Sequence, residues 1–248
     1  MSTIDPTSPI PKYTQLRELL LGLLEEQRLP VDAPIPSERE LCQEYGLSRM
    51  TVRQAVDHLV SEGRLYRVPG KGTFVARPKI DMPLRLVSFT EDMRARGLAP
   101  GARELDRRRI LAGSHLARAF QLESGAEIYV LERLRTADGQ PMAIERSHIP
   151  ASLAPGLLEQ PFADRSLYDV LEHSYGIVFD AGEQTIEAAI VEPADAKLLD
   201  VPRGSAVLRM EQRSSAGGVC AEVVESIYRA DRYQLHTALE IPRRTFRP

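Results

Sequence analysis

Three features of the sequence predict an α+β chain in two parts: a helical amino-terminal unit closed by a β-hairpin, then an α/β unit around a central antiparallel sheet. Apolar residues recur at helical spacing from Leu16 to Val60, a glycine-punctuated hairpin follows, and beyond residue 84 short helices alternate with strand-like stretches in a pattern that repeats after 79 residues. At 248 residues and 43% hydrophobic content the chain can bury two modest cores.

Composition sets the first limits. The amino terminus lacks a basic flank and an apolar stretch of signal-peptide type, and no apolar run approaches the ~20 residues needed to span a bilayer, so a cytoplasmic chain without membrane association is expected. Cys42 and Cys220 stand far apart with no Cys/His grouping, which suggests neither a disulfide framework nor a metal site. Net charge is −3. Between Tyr45 and Lys79, however, seven bases (Arg49, Arg53, Arg64, Arg67, Lys71, Arg77, Lys79) face only Asp57 and Glu62, a candidate phosphate-binding surface. Residues 80–248 carry 21 bases against 25 acids, which argues against a second such surface.

The elements of the first part follow in order. After Pro11, the series Leu16, Leu19, Leu20, Leu23 and Leu24 describes one face of a helix ending near Leu29-Pro30. Ser37 and Glu40 form a capping box that starts a short second helix, which Gly46 closes. Ser48 caps a third helix with Val52, Ala55, Val56, Leu59 and Val60 inward and Arg49 and Arg53 outward; Gly63 ends it. Two stretches of strand propensity, Arg64–Val68 and Thr73–Ala76, flank the turn Pro69-Gly-Lys-Gly72.

Taken singly, Arg49 and Arg53 would be an ordinary solvated helix face, and Pro-Gly-Lys-Gly an ordinary hairpin, since GxxxxGK[ST] is absent. Their order is more specific. Helix, capped short helix, arginine-bearing helix and glycine hairpin make a winged helix-turn-helix over residues 9–77, whose third helix offers arginine to guanine O6 and N7 in the major groove.

Residues 78–83, with two prolines and mixed charge, read as a connector to a second domain over 84–248. There, Ala117–Leu122, Gly125, Ile128–Arg133 and Gly139 recur as Ala196–Val201, Gly204, Val207–Gln212 and Gly218, each copy reading as helix, strand, hairpin turn, strand with pseudo-twofold symmetry. Strand alternation puts Tyr129, Leu131, Arg133 and Arg135 on one face, opposite Ala143, Glu145 and Ser147; in the second copy Glu222, Val224, Ser226 and Tyr228 share a face. Arginines among aliphatics either pair with carboxylates such as Glu145 in a structural ion pair or await an anionic ligand. Parity turns Arg146 away from that face.

The motifs Pro36-Ser-Glu-Arg-Glu-Leu41, Ser48-Arg-Met-Thr-Val-Arg-Gln-Ala55 and Gly70-Lys-Gly-Thr-Phe-Val75 resemble the GntR family of bacterial repressors. In the second domain, Leu86-Val-Ser-Phe-Thr-Glu-Asp-Met93, Pro141–Glu145, Ser147–Pro150, Ser166-Leu-Tyr168 and Ser226–Tyr233 resemble the UTRA effector domain of the HutC subgroup, whose fold is that of chorismate lyase. The run at Ser88 is most similar to regulators of N-acetylglucosamine use, the NagR/DasR type. The resemblance implies DNA contacts from Arg39, Ser48, Arg49, Thr51, Arg53, Gly70, Lys71 and Gly72. It implies an amino-sugar 6-phosphate held by Ser88, Phe89, Thr90, Arg133, Arg135, Ser166 and Tyr168 at the phosphate and by Glu145, Glu222 and Tyr228 at the sugar.

The expected function is therefore a homodimeric repressor on a palindromic double-stranded operator, responding to glucosamine 6-phosphate or N-acetylglucosamine 6-phosphate. Another phosphorylated sugar or acidic metabolite is the alternative ligand, and an activator the alternative sign. An enzyme of chorismate lyase type is the competing class. Against it, GxSxG is absent, and none of His58, His115, His148, His173 or His236 stands at metal-ligand spacing from another. No catalytic residue, metal or cofactor is expected.

Overall fold

The computed structural model describes residues 4–26, 29–162 and 165–238, and the chain divides between Ile80 and Asp81 into two compact units. The first is built on three helices, α1 (Lys12–Glu25), α2 (Glu38–Tyr45) and α3 (Arg49–Ser61), and a hairpin of β1 (Leu65–Val68) and β2 (Gly72–Val75). Leu16 and Leu20 of α1, Leu41 of α2, Val52, Ala55, Val56 and Leu59 of α3, and Leu65 and Val75 of the hairpin close one core.

The signals that bound these helices act as expected. Ser37 and Glu40 make a complete capping box, Gly46 is left-handed at φ 64°, and the Ser48 side chain accepts from the Thr51 N–H. The first helix ends four residues before the expected Leu29. Glu26 closes it by bonding back to Gly22 and Leu24, and Leu29 packs against the core from outside the helix. The apolar series Leu16–Leu24 lies wholly within α1; only the expected end near Leu29-Pro30 was too late, because Leu29 meets the core without helical backbone. The segment after it adds to the wing: Ile35 donates to the Thr73 carbonyl and Asp32 to the Val75 carbonyl.

The second unit is a six-stranded antiparallel sheet in the order β4-β5-β6-β9-β8-β7. The strands are β4 (Pro100–Leu111), β5 (Glu127–Ala137), β6 (Gln140–Pro150), β7 (Ala181–Ile190), β8 (Ala206–Ala216) and β9 (Val219–Arg229). That order reads the same from either end when β4, β5 and β6 are exchanged for β7, β8 and β9. The 79-residue repeat is carried through: β5 and β6 superimpose on β8 and β9 residue for residue in their bounds, and helix α5 (Ser114–Ala119) corresponds to α7 (Pro193–Leu199). Even the irregularities repeat. Gln121 and Asp200 are both left-handed, at φ 55° and 54°, and the ladders slip at Arg135/Thr136 and at Ser214/Ser215. The turn Asp138-Gly139 has φ of 49° and 74° and its counterpart Gly217-Gly218 58° and 80°, the double positive φ that a two-residue hairpin needs.

One face of the sheet is covered by α5 over Ile128 and Val223 and by α7 over Leu134, Ile144 and Val207. On the other, the 3-10 turn Leu157–Glu159 and α6 (Leu167–Tyr175) cover Tyr129, Leu131 and Ile149. Helix α4 (Phe89–Ala95) also serves that face, its Phe89 ring lying under the Arg135 guanidinium at 4.6 Å. The expected connector contains order that its composition did not announce. Ile80–Asp81 forms β3, paired with β10 (Tyr233–Gln234), because its partner strand comes from the far end of the chain.

Candidate functional site

Two surfaces collect the residues singled out by sequence. In the first unit, Arg39, Ser48, Arg49, Arg53, Gly70, Lys71 and Gly72 are exposed, and Thr51 is half-buried with its hydroxyl 2.8 Å from that of Ser48. Ser48 and Thr51 thus hold each other at the start of α3. Gly70 and Gly72 take φ of 74° and 123°, which a side chain would resist. The charge of this region is smaller than the sequence window indicates, because folding adds Glu25, Asp32 and Glu38 from outside the window to Asp57 within it. Arg64 pairs with Glu25, Arg67 with Glu38 and Asp57, and Arg77 with Asp32. Arg53 makes only a long contact to Asp57, at 3.9 Å. Among the described residues Arg39, Arg49 and Lys71 have no ion pair and remain available to an external anion. Met50, 75% exposed beside Arg49, was not picked out by sequence reasoning; an apolar residue on a helix whose outer side is otherwise polar was the signal.

In the second unit, nine of the ten expected effector residues line one cavity: Ser88, Phe89, Arg133, Arg135, Glu145, Ser166, Tyr168, Glu222 and Tyr228. Thr90 stands behind it, its hydroxyl 2.8 Å from Arg135 Nη2. The strands bring these side chains together through register. Arg133 faces Glu145 across β5 and β6, and Glu145 faces Ser226 across β6 and β9, so both halves of the repeat contribute to one face. The ladder slip at Arg135 comes where a bulge re-aims a side chain beside a site.

The cavity's electrostatics are those of groups without enough partners. Arg133 and Arg135 both approach Glu145 Oε2, at 3.5 and 3.4 Å, while Tyr228 donates to Oε1 at 3.1 Å. One carboxylate so shared does not satisfy two guanidinium groups: Arg133 Nε and Nη1, Arg135 Nε, Glu222 Oε2, Ser226 Oγ and the Tyr233 hydroxyl are buried without a hydrogen-bond partner. Burial, then the neighbouring Arg135, pulls Arg133 down to about 10, still cationic at neutral pH. Burial pushes Glu222 up to about 7, against the opposing pull of a Ser147 hydrogen bond and of Arg133. Tyr168 caps the arrangement from α6: its N–H donates to the Ser166 side chain and its hydroxyl accepts from Gln212 at 3.0 Å. The positive end of α6 therefore lies on the cavity wall.

Ser88 differs in detail from a simple binding loop. It is the N-cap of α4, and its hydroxyl is held by Glu91 in a capping box. Sequence reasoning missed Met82, Arg85, Asp92, Gln184, Met210, Gln212 and Tyr233 as lining residues. Gln212 stands at the repeat position of Arg133, and Asp92 and Tyr233 lie within the Leu86–Met93 and Ser226–Tyr233 motifs, which were the available signals. Arg146 lies on the opposite face as strand parity requires, bound to Glu132 at 2.9 Å and Glu225 at 3.6 Å.

The sequence matches the UTRA domain over residues 95–234 and the bacterial regulatory proteins of the gntR family over residues 12–75. The chain belongs to the GntR family. Its HutC-type, UTRA-bearing architecture is shared along almost the full length by relatives. It is 41% identical to the HTH-type transcriptional repressor NagR of Bacillus subtilis, over 93% of this chain and 95% of that protein. It is 29% identical to the histidine utilization repressor of Pseudomonas aeruginosa, over 92% and 90%. Among solved structures, PhnF from Mycobacterium smegmatis covers 93% of this chain with 99% of its own, at 32% identity and TM-score 0.66. This GntR-family chain has no described helix long and apolar enough to cross a membrane.

Proposed function

We propose that this GntR-family protein is a cytoplasmic, homodimeric repressor of amino-sugar uptake and catabolism genes, and that glucosamine 6-phosphate or N-acetylglucosamine 6-phosphate binds its UTRA cavity and weakens its hold on a palindromic operator. The observation that carries the reading is the pair of buried arginines with unpartnered N–H groups beside the N-terminus of α6. Such a site favours a ligand bearing a compact anion, because guanidinium groups and a helix start both stabilise phosphate.

The remaining lining suits the rest of an amino sugar. Glu145 and Glu222 accept from hydroxyl or amino groups, and Tyr228 reaches both donor and acceptor positions. The full-length similarity to NagR, a named repressor, supports the same class of regulator. Arg39, Arg49, Arg53 and Lys71 supply phosphate and base contacts, with Ser48 and Thr51 at the helix start and Gly70 and Gly72 letting the wing approach the backbone closely. A regulator is favoured over an enzyme because the chain is similar along its length to a named repressor and the cavity's unpartnered cationic groups are arginine N–H donors, which suit binding of an anion.

Fluorescence polarisation of an operator selected in vitro with this protein tests the proposal. Saturating glucosamine 6-phosphate or N-acetylglucosamine 6-phosphate is expected to lower operator affinity by about 10- to 100-fold, the usual range of allosteric coupling. Operator affinity unchanged by either compound would exclude them as effectors, and release by another phosphorylated sugar would reassign the cavity's ligand.

A further inference from the structure

Tyr233 ends the Ser226–Tyr233 motif, where the resemblance assigns it no effector contact, yet it belongs to the cavity. It is 2% exposed, lines the cavity wall, and meets the Tyr228 ring edge-on at 4.9 Å between centroids. Its hydroxyl is buried without a hydrogen-bond partner, a condition that costs about 1–3 kcal/mol when nothing satisfies it. Strand β10, which carries Tyr233, is bound to the start of this unit. Met82 N–H donates to the Gln234 carbonyl at 2.8 Å, and the Gln234 side chain donates to Asp81 Oδ1 at 2.8 Å. Met82 and Pro83 line the same cavity, and the backbone runs from them through Ile80 toward the DNA-binding unit.

The cavity is also too small for what the site is built to hold. Its volume is about 70 Å³, below the roughly 300–1,000 Å³ of most ligand pockets, so movement of part of the wall would make room for a sugar phosphate. The sheet strands that carry Arg133, Glu145 and Glu222 are each hydrogen-bonded on both sides. The wall made of Met82, Pro83 and Tyr233 borders a pair of two-residue strands, held by far fewer backbone bonds than the six-stranded sheet.

We propose that Tyr233 is a ligand-sensing residue: its hydroxyl bonds an oxygen of the bound effector, and the displacement of β10 that accompanies binding is passed through the Gln234 side-chain bond to Asp81, at the root of the connector. The inference rests on the sugar-phosphate reading above, and adds to it a residue that reports occupancy and the route by which it does so.

Tyr233→Phe and Gln234→Ala test the two halves. Each variant is assayed as the full chain for glucosamine 6-phosphate affinity by calorimetry, operator affinity with and without that compound, and melting temperature. Tyr233→Phe is expected to bind the compound about three- to tenfold more weakly, the loss of one hydrogen bond, with ligand-free operator affinity unchanged. At ligand concentrations that saturate the variant, operator release is expected to fall short of wild type. Gln234→Ala, which leaves the cavity lining intact, is expected to keep ligand affinity within about twofold and still lose part of the release. Wild-type ligand affinity together with wild-type release in Tyr233→Phe overturns the sensing role, and full release in Gln234→Ala overturns the route. Absence of glucosamine 6-phosphate binding by the wild-type protein is a separate result that removes the effector reading and this inference with it.

Discussion

A carboxyl group buried in a cavity wall has a proton affinity that says more about its surroundings than about itself. Glu222 titrates near 4.5 in an unfolded chain and about 7 in the fold, chiefly because burial disfavours its charge. Between those values the folded state holds a proton that the unfolded state has released. Stability therefore falls as pH rises from about 4.5 to about 7 and is level above that window. Glu222→Gln cannot ionise, so the variant is expected to gain on wild type in melting temperature as pH is raised from 5 to 8. The gain is at most about 3 kcal/mol, the free energy of the full shift. Parallel melting profiles for the two proteins across that range would mean that Glu222 is paired or hydrated well enough to ionise freely. A phosphate bound at Arg133 would compete with ionised Glu222 for that cation, so protonation of Glu222 leaves Arg133 more available to an anion.

At the scale of elements, the repeat explains why so much of the second unit could be read in advance. The 79-residue period fixed which segments correspond, and the strand bounds, turn conformations and ladder slips all follow it. Alternation along β5, β6 and β9 then put Arg133, Arg135, Glu145, Glu222 and Tyr228 on one face, where the structure has them. Contacts that depend on distant pieces of chain left no local pattern. The β3–β10 pair and the acids that neutralise Arg64, Arg67 and Arg77 each arise from residues tens or hundreds of positions apart. The repeat also exposes a mismatch of residue and conformation. Asp200 and its counterpart Gln121 end helices α7 and α5 in left-handed backbone, at φ 54° and 55°, where an L side chain is disfavoured and glycine is not. Asp200→Gly is expected to stabilise the protein by about 0.5–1 kcal/mol in chemical denaturation, with effector and operator binding unchanged. Destabilisation would show that the Asp200 side chain makes a contribution larger than the backbone strain it imposes.

For the whole molecule the governing quantity is how many cations meet DNA at once. Folding leaves each DNA-binding unit with four exposed cations on the candidate surface, Arg39, Arg49, Arg53 and Lys71, since the other arginines of the basic stretch are occupied by Glu25, Asp32, Glu38 and Asp57. Each phosphate neutralised contributes about −0.9 to the slope of log affinity against log salt. A single unit on a half-site should therefore show a slope of about −3 to −4, and two units of a homodimer on a palindromic site about −7. The two arrangements separate cleanly in one polarisation series from 50 to 200 mM salt, run on the full operator and on an isolated half-site. A slope that doubles from half-site to full site supports paired heads that engage independently through the same cations. Equal slopes would mean that one head carries the contacts and that the operator's symmetry is not matched by the protein. The effector enters the same measurement: a ligand that merely parts the heads leaves the half-site slope at its original value, whereas one that alters the basic surface itself lowers the slope on both DNAs.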